Sequence, residues 1–253
     1  TILDARNEVV RRFSSSDPVP HPDAATLAYA PEWMVIPSHL SDRPGMQRFI
    51  WDLRAAALGR HPTPGKDGVW MPPGRYWVVL HVSGRDYRAP LAVKADPRVG
   101  LSQAAYERQY ALAVDVAEAS AQADDALAQA TTVMAGLKAR LAQSAGTLRT
   151  QLKSALARAA AISNVPLHRD PRNSMGTPPR SLSSLRALSD SLHNLEQAVD
   201  GADADPDLDV RTAYAELSTR LAPTLASWTR FLGTDLLTLN ASLRAAGDRV
   251  IKP

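Results

Sequence analysis

The chain has 253 residues, enough for two domains of ordinary size, and its 45% hydrophobic and 22% charged content belongs to a folded protein, not a disordered one. Its formal net charge of +3 divides into 13 Lys and Arg against 10 Asp and Glu up to residue 98, and 16 against 16 beyond it, so neither half carries the concentrated basic field of a nucleic-acid binder. Cysteine is absent, which removes disulfides, thiolate nucleophiles and Cys-based metal sites, and no segment approaches the roughly 18 consecutive apolar residues of a membrane span.

The chain opens at once on strand-like Thr1-Ile2-Leu3-Asp4, as expected of a fragment or of the C-terminal part of a longer protein. Thr1–Ala5 and Val9–Phe13 flank Arg6-Asn7-Glu8 and predict a hairpin. Ser14 to Glu32, rich in Pro, Ser and Asp, predicts a surface loop, and Trp33-Met34-Val35-Ile36 a strand stopped by Pro37. In Met46–Leu53, Phe49, Trp51 and Leu53 alternate with Arg48 and Asp52, the period of a half-buried strand. Residues 55–68 form another loop. After the Met71-Pro72-Pro73-Gly74 turn, Arg75–Val82 alternates with Tyr76, Val78 and Leu80 inward, and Tyr87–Lys94 returns past Ser83-Gly84-Arg85-Asp86. About seven short strands in under 100 residues is the density of a sandwich.

Beyond Asp96-Pro97-Arg98 the composition changes to Ala, Leu, Gln and Ser. Ser102 offers an N-cap, and Tyr106, Tyr110, Ala113, Val114, Ala117, Ala121 and Ala128 lie on one helical stripe that continues through Val133, Leu137, Leu141, Leu148, Leu152 and Leu156, with a bend near Ser144-Ala145-Gly146. The four prolines and glycine of Asn164–Pro179 stop this helix. A second helix starts at Ser181, with Leu182, Leu185, Leu188, Leu192, Leu195 and Val199 apolar and Gly201 as its stop. Asp205-Pro206 opens a third, whose stripe is Tyr214, Leu217, Leu221, Leu225, Trp228, Leu232, Leu236, Leu239 and Leu243; Pro223 predicts a kink and Gly233-Thr234-Asp235 a split. The expected fold is α+β in two separate modules. An immunoglobulin-like antiparallel β-sandwich spans residues 1–98, and an antiparallel bundle of three or more long α-helices spans 99–253, with helices at about 102–162, 181–200 and 206–247.

Val10-Arg11-Arg12-Phe13-Ser14-Ser15, Pro44-Gly45-Met46-Gln47-Arg48-Phe49-Ile50-Trp51-Asp52-Leu53-Arg54, Pro73-Gly74-Arg75-Tyr76 and Ala95-Asp96-Pro97-Arg98 follow in an order and spacing that resembles the C-terminal region of bacterial sortilin-like, BNR-repeat β-propeller proteins, often labelled glycosyl hydrolases. Leu239-Asn240-Ala241-Ser242-Leu243-Arg244 fits the Leu-rich end of that family. The resemblance implies an immunoglobulin- or fibronectin-type-III-like domain and a helical region behind a propeller with Asp-box repeats, which this chain lacks. It also implies a periplasmic or extracellular parent protein, an upstream β-propeller or another chain as partner, and any hydrolase equipment in the propeller.

No residue set here reads as catalytic, cofactor-binding or metal-binding. Asp52 beside Trp51 suggests a glycosidase carboxylate, but the second acid that such chemistry needs is not supplied, and pairing with Arg54 or Arg48 explains it. Asp96-Pro97-Arg98 ends a strand. His21, His39, His61, His81, His168 and His193 lack ligand spacing. The acidic run Asp200–Asp209 lacks the glycine and closing Glu of a calcium loop and reads as a capped interhelix loop. No Gly-x-Ser-x-Gly elbow or phosphate loop occurs. Trp70 and Trp77 remain as an interaction surface: Trp77, out of phase with Tyr76 and Val78, faces outward, where a Trp marks a domain interface more often than a glycan platform. The expected function is that of a non-catalytic accessory or scaffold region that docks a propeller or another protein. The alternatives are a glycan- or peptide-binding module, or part of a carbohydrate-active hydrolase.

Overall fold

The computed structural model describes residues 1–18, 30, 33, 39–59, 68–165 and 182–253. The strand expected at Trp33–Ile36, most of the loops at 14–32, 55–68 and 164–179, the helix start at Ser181, and His21, His61 and His168 lie wholly or largely outside the described residues. The chain divides into two compact units, Thr1–Ala56 with Asp67–Gly100, and Ala57–Lys66 with Leu101–Pro253. The described residues of that segment, Ala57, Leu58 and Gly59, expected within the first module, thus group with the helices.

The first reversal of the chain is made by two short polar side chains. The Asp4 carboxylate accepts from the amides of Arg6 (2.9 Å) and Glu8 (2.8 Å), and Asn7 takes φ 66°, a left-handed conformation that Asn tolerates. This turn joins β1 (Ile2–Leu3) to β2 (Val9–Arg11). β1 also pairs with β3 (Gly74–Val82), and β3 with β4 (Arg85–Val93), giving an antiparallel sheet in the order β2-β1-β3-β4. The β3–β4 turn is two residues long, Ser83 at φ 49° and Gly84 at φ 73°, the mirror-image geometry that matches strand twist.

Among the described residues there is one sheet of four strands, where the sequence predicts about seven strands in a sandwich. Met46–Leu53 explains part of the difference. Phe49, Trp51 and Leu53 are half-buried while Arg48 and Asp52 are exposed, so the alternation is real, but no ladder forms. Leu53 sits at φ 62°, which breaks the extended run, and only the isolated Arg54–Trp70 bridge follows. Alternating burial needs an extended chain over a core, not a hydrogen-bonded neighbour.

In the second unit Ser102 caps α1 (Gln103–Gln143) through the Ala105 amide. The bend expected near residue 144 is a break: α2 (Gly146–Ser163) is a separate helix that folds back, so that Ser163 Oγ meets Met134 Sδ at 3.3 Å. α3 (Leu185–Asp200) is capped by Ser184, and Leu182 stays exposed outside it. α4 (Leu208–Arg230) is capped by Asp207, whose carboxylate accepts from Val210 N at 2.8 Å; Pro206 therefore precedes the cap. The helix continues through Pro223. Phe231–Leu236 widens into a π-helical turn where a split was expected, and α5 (Leu237–Ala245) follows.

α1 and α3 run antiparallel, with Gln109 Nε2 donating to Val199 O and Asp124 beside Ser189. α1 and α4 run parallel, with Tyr214 beside Asp115 and Trp228 Nε1 donating to Gln129 Oε1 at 2.8 Å. Leu137, Leu152, Trp228, Phe231, Leu239 and Leu243 share one buried cluster. Gly136 lies inside α1, where glycine is less favourable than alanine by about 1 kcal/mol; a Cβ there would come 2.9 Å from Ile251 Cγ2. No described helix is long and apolar enough to cross a membrane.

Candidate interaction surface

The register of the β3–β4 hairpin assigns its two faces. Directly opposed residues share a face, so Val78–Ala89, Leu80–Tyr87 and Val82–Arg85 lie on the side of Tyr76, while Trp77–Pro90, Val79–Arg88 and His81–Asp86 lie on the other. At the base the Tyr76 side is core. Tyr76 is 4% exposed, its hydroxyl donates to Pro72 O at 2.6 Å, and its ring meets Trp51 edge-on at 5.7 Å. Toward the tip the same face loses its cover. Leu80 and Val82 are each 48% exposed and Tyr87 54%. Leu80, expected inward by alternation, is on the inward-type face but beyond the described core.

Trp77 lies on the opposite face from Tyr76, half-buried, with the Arg88 guanidinium 4.1 Å from its ring centroid. Asn7 Oδ1 accepts from Arg88 and holds it there. Trp70 is 44% exposed, and Arg54 lies 4.0 Å from its ring centroid while donating to Gly68 O. Among the described residues no ring contact joins Trp70 to Trp77, so the structure does not bring them into one platform. Each carries an arginine on one face, a cation–π arrangement that sequence reading missed because Arg54 and Arg88 come from other segments.

Arg11 Nη1 reaches both oxygens of Asp52 at 3.2 Å, and the Arg54 amide donates to it at 3.1 Å; the partner from β2 was not foreseen. Arg98 clasps Asp96 through side chain and amide and holds that carboxyl below its ordinary pKa. The acidic run is tied to the first turns of α1. Tyr106 donates to Asp203 at 3.1 Å, and Arg108 makes a bidentate pair with Asp205 that lowers the Asp205 pKa and raises its own. Among the described residues no group of three or more His, Cys, Asp or Glu side chains could hold a metal.

One cluster escaped the sequence altogether. Ser189 Oγ donates to Asp124 Oδ1 at 2.7 Å, His193 Nε2 lies 3.2 Å from Asp124 Oδ2, and His193 Nδ1 lies 3.5 Å from Ser189 Oγ. Its residue types are those of a nucleophile triad, but the arrangement is not. The serine gives its hydrogen to the carboxylate instead of the imidazole, and Ser189 is buried away from any substrate. The cluster ties α3 to α1. A shallow groove of about 210 Å³ between α1 and α4 is lined by Asp115, Glu118, Tyr214, Ser218, Leu221 and Leu225. Tyr214 and Ser218 already donate to backbone carbonyls there.

Comparison of the chain with protein-family models, with curated proteins and with solved structures finds no match.

Proposed function

We propose that the chain is a non-catalytic accessory module whose β3–β4 hairpin docks against another protein domain, with the helices forming an antiparallel bundle that acts as a scaffold. One observation carries the reading: a sheet face that is core at Tyr76 continues as apolar surface at Leu80, Val82 and Tyr87. Apolar side chains adjacent on one face of a hairpin are the kind of patch that a partner covers. Trp77, on the opposite face from that patch, and Trp70 each have one ring face occupied by arginine, which leaves less ring surface for glycan stacking. The partner we nominate is a β-propeller domain of the sortilin-like kind. No family model matches, so that nomination rests on the motifs at residues 10–15, 44–54, 73–76, 95–98 and 239–244 alone.

Calorimetric titration of the chain with a sortilin-like propeller supplied in trans tests this. Association is expected, weakened about tenfold or more by Leu80→Asp or Tyr87→Asp, because a central apolar contact is lost at an exposed position that folding does not need. Absence of heat at about 0.1 mM protein, or equal affinity of the variants, sinks the reading.

A further inference from the structure

Beyond Ala245 the chain leaves α5 through Gly247, at φ 78°, and runs back across the helices. Three polar contacts hold it. Asn240 Nδ2 donates to Ile251 O at 2.9 Å, Asn240 Oδ1 accepts from Ile251 N at 2.8 Å, and Arg140 Nε donates to Arg249 O at 3.1 Å. The tail contributes only main-chain atoms to all three. A primary amide that takes both the N–H and the C=O of one residue does what a neighbouring β-strand does, and such contacts read backbone conformation and not side-chain identity. Selectivity comes from below. Ile251 is 5% exposed, packs with Leu137, Leu239 and Leu243, and enters space that a Cβ on Gly136 would close.

We propose that Asn240, Arg140 and the recess over Gly136 form a peptide-binding clamp for an extended segment with a β-branched aliphatic residue at its centre, and that residues 249–252 occupy it as a displaceable internal ligand. The tail is tethered by a few residues, so it competes at an effective concentration that is roughly millimolar. An external segment of the same chemistry gains the site when the tail is weakened. This site is independent of the hairpin face, and either can fail without the other.

A fluorescein-labelled peptide with the sequence of residues 248–253 is titrated, by anisotropy, onto the full chain carrying Ile251→Gly. Saturable binding is expected. Wild-type chain should bind about tenfold more weakly or worse, because its own tail holds the site. A peptide with the isoleucine replaced by glycine should bind neither. Equal binding of both peptides, or no binding to an Ile251→Gly chain that keeps its helical circular dichroism and a cooperative melt, overturns the proposal. Should Ile251→Gly fail to fold, Asn240→Ala decides. Exchange of the Ile251 amide should then quicken about tenfold or more while amides in α2 hold, and unchanged Ile251 exchange overturns the clamp.

Discussion

In the helical unit Val116, Val133, Leu137, Leu152, Leu185, Leu188 and Leu192 lose all contact with solvent, whereas in the sheet unit only Ile2, Val69, Met71 and Tyr76 among the described apolar residues are buried, and none of them fully. The two units solve different problems. A helix satisfies its own backbone and needs only to bury one stripe, which α1, α3 and the long α4–α5 segment do against each other. A sheet has two faces and two edges, and β4 leaves both its edge and most of its side chains in solvent among the described residues. Among the described residues, then, the second unit holds most of the fully buried apolar side chains and the first only a few buried ones.

Truncation at each core breaks or sharpens this contrast. Phe231→Ala, which removes a ring stacked on Trp228 at 5.2 Å and 1% exposed, should lower helical stability by about 3–5 kcal/mol, read as a urea midpoint shift in far-UV circular dichroism. Ile2→Ala should cost less, about 2–3 kcal/mol, since β1 has room to relax. Its loss should be read in exchange of the Val79 amide, which donates to Thr1 O, with the helical transition unmoved. If the helices melt earlier in Ile2→Ala, the two units are not separate in stability.

The same contrast decides what the sequence made legible. Leu185, Leu188, Leu192, Leu195 and Val199 are all buried, as their spacing predicts, because leucine stands out from the polar residues between. α1 defeats that logic. Alanine occupies several of its faces, so of the predicted stripe Tyr106, Ala113, Val133 and Leu137 are buried, whereas Val114, Ala117, Ala121 and Ala128 are half-buried or exposed and the helix turns Val116, Ser120, Ala123 and Ala130 inward instead. In the sheet unit the alternation around Tyr76 marks the right faces, yet nothing local says how far along β3 the cover extends, which is why Leu80 was expected inside. Trp70 and Trp77 were visible as outlying aromatics; the arginines over them were not. Ser189, His193 and Asp124 converge only once α3 lies on α1.

Gly136→Ala tests whether close packing outweighs propensity in the helical unit. Alanine is favoured over glycine in a helix by about 1 kcal/mol. The new Cβ, 2.9 Å from Ile251 Cγ2, should more than cancel that through overpacking of about 1–3 kcal/mol. A net loss on the order of 1 kcal/mol is expected in urea. Adding Ile251→Ala should remove the clash, so that Gly136→Ala becomes stabilising in that background; a clash-free Gly136→Ala single variant breaks the account of the recess.

The smallest effect is electrostatic and compares one ion pair from each unit. Asp96 and Asp205 both have pKa values lowered, mainly by hydrogen bonds from Arg98 and Arg108. A carboxyl depressed in the folded state contributes stability above its unfolded pKa, and that contribution disappears as pH falls through the folded value. The partners differ in distance along the chain. Arg98 stays two residues from Asp96 when the protein unfolds, so it depresses both states and contributes little slope. Arg108 and Asp205 are 97 residues apart and separate on unfolding, so Asp205 returns to an ordinary value near about 4. Both pairs are exposed, which keeps the effect small and sensitive to salt. Urea midpoints measured at low salt between about pH 5 and about pH 2 should therefore fall less steeply in Arg108→Gln than in wild type, with Arg98→Gln parallel to wild type. An equal flattening by both variants would mean that the Asp96–Arg98 pair forms only in the folded sheet unit.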